Sequence, residues 1–206
     1  MAQLYIAHGI FEKRPVLCKI LGMFNFCPSC TSKKISFEEG KVFRCPDCGF
    51  VYYHNIAAAT GCIISAPQAD GTERLVFLVR GKEPAAGKLD LPGGFVDVGE
   101  GALEGLYREL KEEIGWTPPV PDGAGLASVF RLFASFSNVY EYKGVKYNTC
   151  DMYFSVSAPG LAPGDLTLEK AEIAAAHFLK PEEIDFAQFA FESTRRAVKS
   201  YLRILD

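Results

Sequence analysis

Residues 94–116 read Gly94-Phe-Val-Asp-Val-Gly-Glu100-Gly-Ala-Leu-Glu-Gly-Leu-Tyr-Arg108-Glu109-Leu-Lys-Glu112-Glu113-Ile-Gly115-Trp116. At about 100° per residue with Glu109 at zero, Glu112 falls at about −60° and Glu113 at about +40°, while Leu103, Leu106, Tyr107, Leu110 and Ile114 occupy roughly +60° to +160°. The spacing predicts a short amphipathic helix with a core face and, beside it, an acidic one. Ala102 and Gly105 share the acidic side and are too small to cover it, so another group can approach closely. A mid-helix glycine costs about 1 kcal/mol against alanine, and like charges three or four residues apart add a smaller penalty. Both features oppose the helix unless a cation and a ligand sit against it. Oxygen-only ligands suit Mg²⁺ or Mn²⁺, which bridge carboxylates to phosphates. An ordinary solvated acidic face is the competing reading.

The whole pattern separates the two. It is G-x5-E-x7-R-E-U-x-E-E-x-G-U, with U a bulky apolar residue, and every fixed position is present. This resembles the Nudix box, a loop-helix-loop that binds divalent metal and hydrolyses a diphosphate linked to another moiety X. The resemblance implies an α+β fold, a Nudix-type α/β/α sandwich with a mixed sheet. It also implies Glu109, Glu112 and Glu113 as ligands of a catalytic Mg²⁺ or Mn²⁺, Arg108 as the residue orienting the acidic cluster, and backbone roles for Gly94 and Gly115. Glu100 would act through neighbouring contacts or favour the positive helix end. Leu91-Pro92-Gly93-Gly94 is similar to the family too, with the Gly93 carbonyl joining the metal shell. The proton of the attacking water would go to Glu109, with Glu172 and Asp165 as candidates outside the box. Arg80, Lys82 and Lys88, just upstream, are candidates for phosphate oxygens.

Four of the seven cysteines form Cys27-Pro-Ser-Cys30 and Cys45-Pro-Asp-Cys48, fourteen residues apart. Each pair supplies two thiolates from a tight turn, and Glu39-Gly40 between Ile35-Ser-Phe37 and Lys41-Val-Phe43 predicts a hairpin that returns the chain to one tetrahedral Zn²⁺. Two disulfides or a redox dithiol are the alternatives; a cytoplasmic chain disfavours the first, and the second needs one pair only. Four thiolates leave no open position, so the zinc is read as structural. A module of this size has too little core to fold unaided. Phe26, Phe37, Phe43, Phe50 and Tyr52 are its expected packing. Lys33, Lys34, Lys41 and Arg44 make only a modest basic patch, which disfavours nucleic acid as a partner. Cys18, Cys62 and Cys150 read as inert thiols.

With 206 residues, 49 % hydrophobic, the chain can bury one ordinary core and carry a small accessory module. A formal charge of −3 gives no global attraction to nucleic acid or anionic membrane. The longest weakly polar run, residues 56–66, is too short to span a bilayer. Glu12, Lys13 and Arg14 interrupt the first residues, which argues against a signal peptide and for a cytoplasmic protein. The expected organisation is an N-terminal extension at 1–22, a zinc ribbon at 23–54 and a Nudix hydrolase domain at 55–206. The expected partner is a small nucleotide substrate, with no membrane; a homodimer is left open.

Ile56–Ser65 and Glu73–Arg80 read as a hairpin turning through Pro67 and Asp70-Gly71. Leu126–Phe136 and Val145–Val156 alternate as strands. Residues 168–179 have high helix propensity, whereas the resemblance implies a strand from about Ile173 to Leu179, and the resemblance is followed. From Phe186, apolar Phe189, Ala190, Val198, Tyr201, Leu202 and Leu205 recur at helical spacing, predicting a closing amphipathic helix. Within 136–151, Tyr140, Tyr142 or Tyr147 could stack on a base. A four-cysteine module ahead of the box is similar to the NADH pyrophosphatase branch. Two departures count against it: Ser135-Phe136-Ser137-Asn138 stands where the branch has a Ser-Gln-Pro-Trp-Pro-Phe-Pro type motif, and a larger N-terminal domain is lacking. The reading is therefore a hydrolase of a nucleoside diphosphate linked to X, such as ADP-ribose or a dinucleotide. An NADH pyrophosphatase proper is one alternative. A zinc-ribbon adaptor, binding nucleic acid or protein and keeping a non-catalytic Nudix ligand sensor, is the other.

Overall fold

The computed structural model of the protein describes residues 24–204. The expected extension at 1–22, Cys18 and Leu205 lie outside them. The described chain divides between Asn55 and Ile56 into two compact units.

In the first unit, β1 (Ser36–Glu38), β2 (Val42–Arg44) and β3 (Val51–Tyr53) form an antiparallel sheet in that order. The hairpin is where the spacing put it; β3 was not foreseen, because three residues are too few to show a period. Phe43 is the buried centre, with Phe24 and Phe50 edge-on at 5.1 and 6.0 Å. Phe24 also meets Tyr52. Phe26, expected in this packing, is instead 53 % exposed, while its neighbour Cys27 is fully buried.

The second unit is α+β. Its mixed sheet contains β4 (Ala57–Pro67), β5 (Glu73–Arg80), β6 (Leu89–Asp90), β7 (Arg131–Tyr142) and β8 (Val145–Ser157) in the order β6-β5-β4-β8-β7, and β9 (Ile173–Leu179) pairs with β5. Strands β4 and β8 are parallel; β7 and β8 are antiparallel. Alternate residues serve opposite faces. Cys62, Ile64, Ala66, Val76 and Leu78 pack with Leu106, Leu110 and Ile114 of helix α1 (Ala102–Ile114). Ile63, Leu75 and Phe77 pack with Ala197 and Val198 of helix α2 (Glu192–Tyr201). The sheet thus lies between two helices, the expected sandwich. Among the described residues no helix is long and apolar enough to cross a membrane.

Two elements depart from expectation. Residues 126–128 form a 3₁₀ turn, and the strand runs over 131–142 rather than 126–136. The closing helix starts at Glu192 rather than Phe186. The Ala190 N–H is spent on the Leu89 carbonyl at 2.8 Å, which holds 189–190 beside β6 instead of in a helix. The strand Ile173–Leu179 stands where the resemblance placed it: residues 168–172, rich in helix formers, form no helix and end in a turn at 170–172, and the strand joins the edge of β5 (Val76 opposite Phe178). Tertiary pairing overrides propensity there.

The hairpin β4–β5 pairs only near its turn, through Ser65, Ala66 and Pro67. Beyond Ser65 the two strands separate, and the glycine-rich segment ahead of α1 lies alongside β4. Cys62 N–H donates to Pro92 O, Thr60 N–H to Gly94 O, and Val96 N–H to Ala58 O, at 2.8, 2.8 and 3.0 Å. This seam places the start of the box against the sheet.

Candidate active site

The box begins where side chains do not fit. A Cβ on Gly93, at φ +141°, would lie 2.2 Å from the Thr60 carbonyl oxygen, and one on Gly94 would lie 2.5 Å from the Glu109 carboxylate. Backbone replaces side chain at both positions, so α1 can present its carboxylates directly to the loop. Gly115 closes the helix in the left-handed conformation, φ 62°, with its N–H on the Lys111 carbonyl.

The small face of α1 is not open as expected. The space beside Gly105 is filled by the chain's own loop, with Glu100 Oε2 and Val96 Cα 3.1 and 3.5 Å from a Cβ built there. A methyl at 105 would press on the Glu100 carboxylate, so the loop rather than a ligand occupies the space beside this glycine.

Arg108 organises the acidic side. Its Nε and Nη2 donate to the two oxygens of Glu100 at 2.8 and 3.1 Å, its Nη1 to Glu109 and Glu112 at 2.9 and 3.0 Å, and Nη2 also to Phe95 O at 3.0 Å. The bidentate pair with Arg108 holds the Glu100 carboxyl below its ordinary range. Glu113 reaches past this cluster. Its Oε2 accepts from the Gly93 N–H at 2.8 Å, yet burial pushes its pKa up to about 8, with the charges of Glu109, Asp90 and Glu172 adding to the rise. Burial raises Glu109 as well, against the pull of Arg108.

Glu109 and Glu113 line a cavity of about 320 Å³, together with Gly93, Gly94, Phe95 and Arg108. Glu112 does not: its side chain is 59 % exposed on the rim, paired with Arg108. Of the upstream cations, Arg80 and Lys82 line the cavity and Lys88 does not. Lys82 forms an ion pair with Glu172, also a lining residue. Asp165 is elsewhere, accepting from the Ala162 N–H. Of the three tyrosines, Tyr140 lines the cavity, edge-on to Phe95 at 5.5 Å and tilted against Phe191 at 5.7 Å. Tyr142 and Tyr147 lie outside it.

The floor was not foreseen. Thr149, Asp151 and Tyr153 of β8 are buried on one face, and Ser193 and Thr194 come from the first turn of α2. Ser193 Oγ and Thr149 Oγ1 donate to Asp151 at 2.7 and 2.5 Å. Thr194 Oγ1 donates to Asp90 at 2.9 Å, and Asp90 pairs with Arg80 Nη1 at 3.1 Å. Desolvation raises the Asp90 pKa despite that partner. The period-two spacing of Thr149, Asp151 and Tyr153 was the available signal; that these residues meet α2 was not.

Two crowded, half-buried carboxylates, one of them on a main-chain N–H, with room in front of them, fit the chemistry of a divalent cation. In the first unit, all four Sγ atoms lie within 4.8 Å of one another, with Cys27–Cys48 and Cys30–Cys45 at 3.6 Å. Four sulfurs about 2.3 Å from a central Zn²⁺ would be separated by about 3.8 Å, whereas a disulfide needs about 2.05 Å. The cluster fits zinc.

A sandwich whose box helix sets half-buried carboxylates against a glycine-rich seam defines the Nudix class. Residues 56–200 match the NUDIX domain model, and the chain belongs to that family. It is 35 % identical over 110 residues to the ADP-ribose pyrophosphatase of Methanocaldococcus jannaschii, covering 53 % of this chain and 58 % of that protein. It is 33 % identical over 91 residues to the NAD-capped RNA hydrolase NudC of Deinococcus radiodurans, covering 44 % and 32 %. The chain therefore spans well under two thirds of the length of these curated relatives. A NUDIX hydrolase structure from Nitrosomonas europaea agrees in fold, with a TM-score of 0.60 at 22 % identity over 86 % of this chain and 90 % of that one.

Proposed function

We propose that the protein is a metal-dependent hydrolase that cleaves the diphosphate of a nucleoside diphosphate linked to a second moiety. The observation that carries this is the joint placement of Glu109 and Glu113 in the wall of a cavity that also holds Arg80, Lys82 and an aromatic cluster. The names of the two relatives, an ADP-ribose pyrophosphatase and an NAD-capped RNA hydrolase, support the same substrate class.

In this reading Glu109, Glu113 and the rim residue Glu112 hold Mg²⁺ or Mn²⁺, with the Gly93 backbone beside them. When bound, the metal offsets diphosphate charge and acidifies the attacking water. Arg108, held by Glu100, fixes Glu109 and Glu112 directly and limits the mutual repulsion of the carboxylates. Glu109 accepts the water's proton, or Glu172, another lining residue, does, and Lys82 and Arg80 meet phosphate oxygens. Phe95, Tyr140 and Phe191 give a nucleobase an aromatic surface. The ribbon carries a structural zinc.

Glu113→Gln and Glu112→Gln should each lower turnover of ADP-ribose with Mg²⁺ or Mn²⁺ by at least about 100-fold, while zinc stays near one per chain by elemental analysis. Turnover at the wild-type rate in both variants would refute the assigned ligands.

A further inference from the structure

We propose that Asp151 selects the moiety X, so that the floor of the cavity takes a neutral group bearing hydrogen-bond donors and refuses a terminal phosphate. The inference rests on the reading of the cavity as a diphosphate site and names what lies beyond the diphosphate. Asp151 is 7 % exposed, lines the cavity, and is surrounded by hydroxyls: Thr149 and Ser193 donate to separate oxygens, and Tyr153 OH stands 3.5 Å from the second. The Tyr153 contact is at the limit of a hydrogen bond. An ionised carboxylate has about four acceptor positions, so Asp151 can still accept from a ligand.

The charge around it points the same way. Arg80 is paired with Asp90 and serves the diphosphate in this reading, and the Arg196 guanidinium lies over the ring of Phe136. An anionic group entering beside Asp151 would face a buried negative charge in a medium that screens it poorly. Vicinal hydroxyls of a sugar, or an amino or carboxamide nitrogen, would instead complete its hydrogen bonding. The spacing suits an extended ligand. Asp151 is opposite Phe136 in the β7–β8 ladder, and Tyr140 is four residues further along the same face, about 13 Å away. An aromatic ring at Tyr140 and a donor group at Asp151 can then belong to one molecule.

A purely structural role, tying β8 to α2 through Ser193, makes no demand on the ligand, so the test varies the ligand first. Binding to the zinc-loaded wild-type chain is measured by calorimetry, with Ca²⁺ in place of Mg²⁺, for ADP-ribose, for ADP carrying a hexyl ester on its terminal phosphate, and for ATP. ADP-ribose should bind at least about tenfold more tightly than either of the others. In Asp151→Asn that gap should shrink to about threefold or less, with ATP gaining. Equal binding of the hexyl ester and ADP-ribose by the wild type would overturn the proposal, as would no binding of any probe or an unchanged gap in a folded Asp151→Asn. If that variant does not fold, the wild-type series decides. ADP-ribose, NADH and diadenosine polyphosphates with Asp151→Asn then separate sugar hydroxyls from amide donors as the recognised group. Hydrolysis with Mg²⁺ is scored apart. Its absence would sink the reaction and leave the binding preference standing, and an absent preference with intact hydrolysis would sink only the role of Asp151.

Discussion

Glu113 concentrates the electrostatic tension of the site in one carboxyl. Its pKa in the folded, magnesium-free chain is about 8, against an ordinary value of 4.5, chiefly because burial disfavours its charge. Between those values the native state holds a proton that the unfolded chain releases, so stability falls as pH rises from about 5 to about 8. Glu109 and Asp90, also raised by burial, act in the same direction. Asp70, Glu100 and Asp185, held low by their hydrogen bonds, act in the opposite sense and at lower pH. The Glu113 contribution is on the order of 3–5 kcal/mol. Denaturant titrations of zinc-loaded, magnesium-free protein should show the decline, and Glu113→Gln should flatten much of it. Parallel curves would mean that this charge is not buried. The identity of Glu113 was legible from the box, since spacing alone puts it beside Glu109. Its partner was not, because the Gly93 N–H reaches it only through the seam with β4.

Helix α1 is the element on which the site is mounted, and its end is set by backbone conformation. Gly115 sits at φ 62°, and a Cβ there would come within 2.8 Å of Thr167 Cβ. Left-handed backbone costs a non-glycine residue about 1–2 kcal/mol, and the contact adds to it. Gly115→Ala should therefore lower the unfolding free energy by at least about 2 kcal/mol. Gly125→Ala, with φ −87° and open space around it, should be near neutral. Equal melting temperatures for the two variants would refute the cap. The same turn positions Glu172: Thr167 N–H and Glu169 N–H donate to the last carbonyls of α1, and Gly81 N–H donates to Glu172 O. This helix was legible because thirteen residues show a clear period. The strand at 173–179 was legible only through the family resemblance, since Glu169–Ala176 favours a helix locally and the open edge of β5 claims the segment.

At the scale of the whole molecule, the two units are stabilised by different physics. The second has two apolar cores, one on each face of its sheet. Among the described residues the first has one fully enclosed aromatic, Phe43, and four cysteines whose sulfurs converge. Chelation of zinc should accordingly open residues 24–55 to proteolysis and hydrogen exchange while residues 56–204 stay protected. Protection retained in the first unit after zinc is removed would show that it folds without metal. The sequence by itself determined the spacing of the cysteine pairs, the box helix with its acidic and apolar sides, and the family, because each is a local pattern whose period or spacing survives without knowledge of the fold. Only the tertiary structure decided that the loop occupies the space beside Gly105, that Glu112 stays on the rim, and that Asp151, Thr194, Phe95 and Phe191 share one cavity. Those residues lie up to about 100 positions apart in the chain, and no local signal records which strand edge or helix end brings them together.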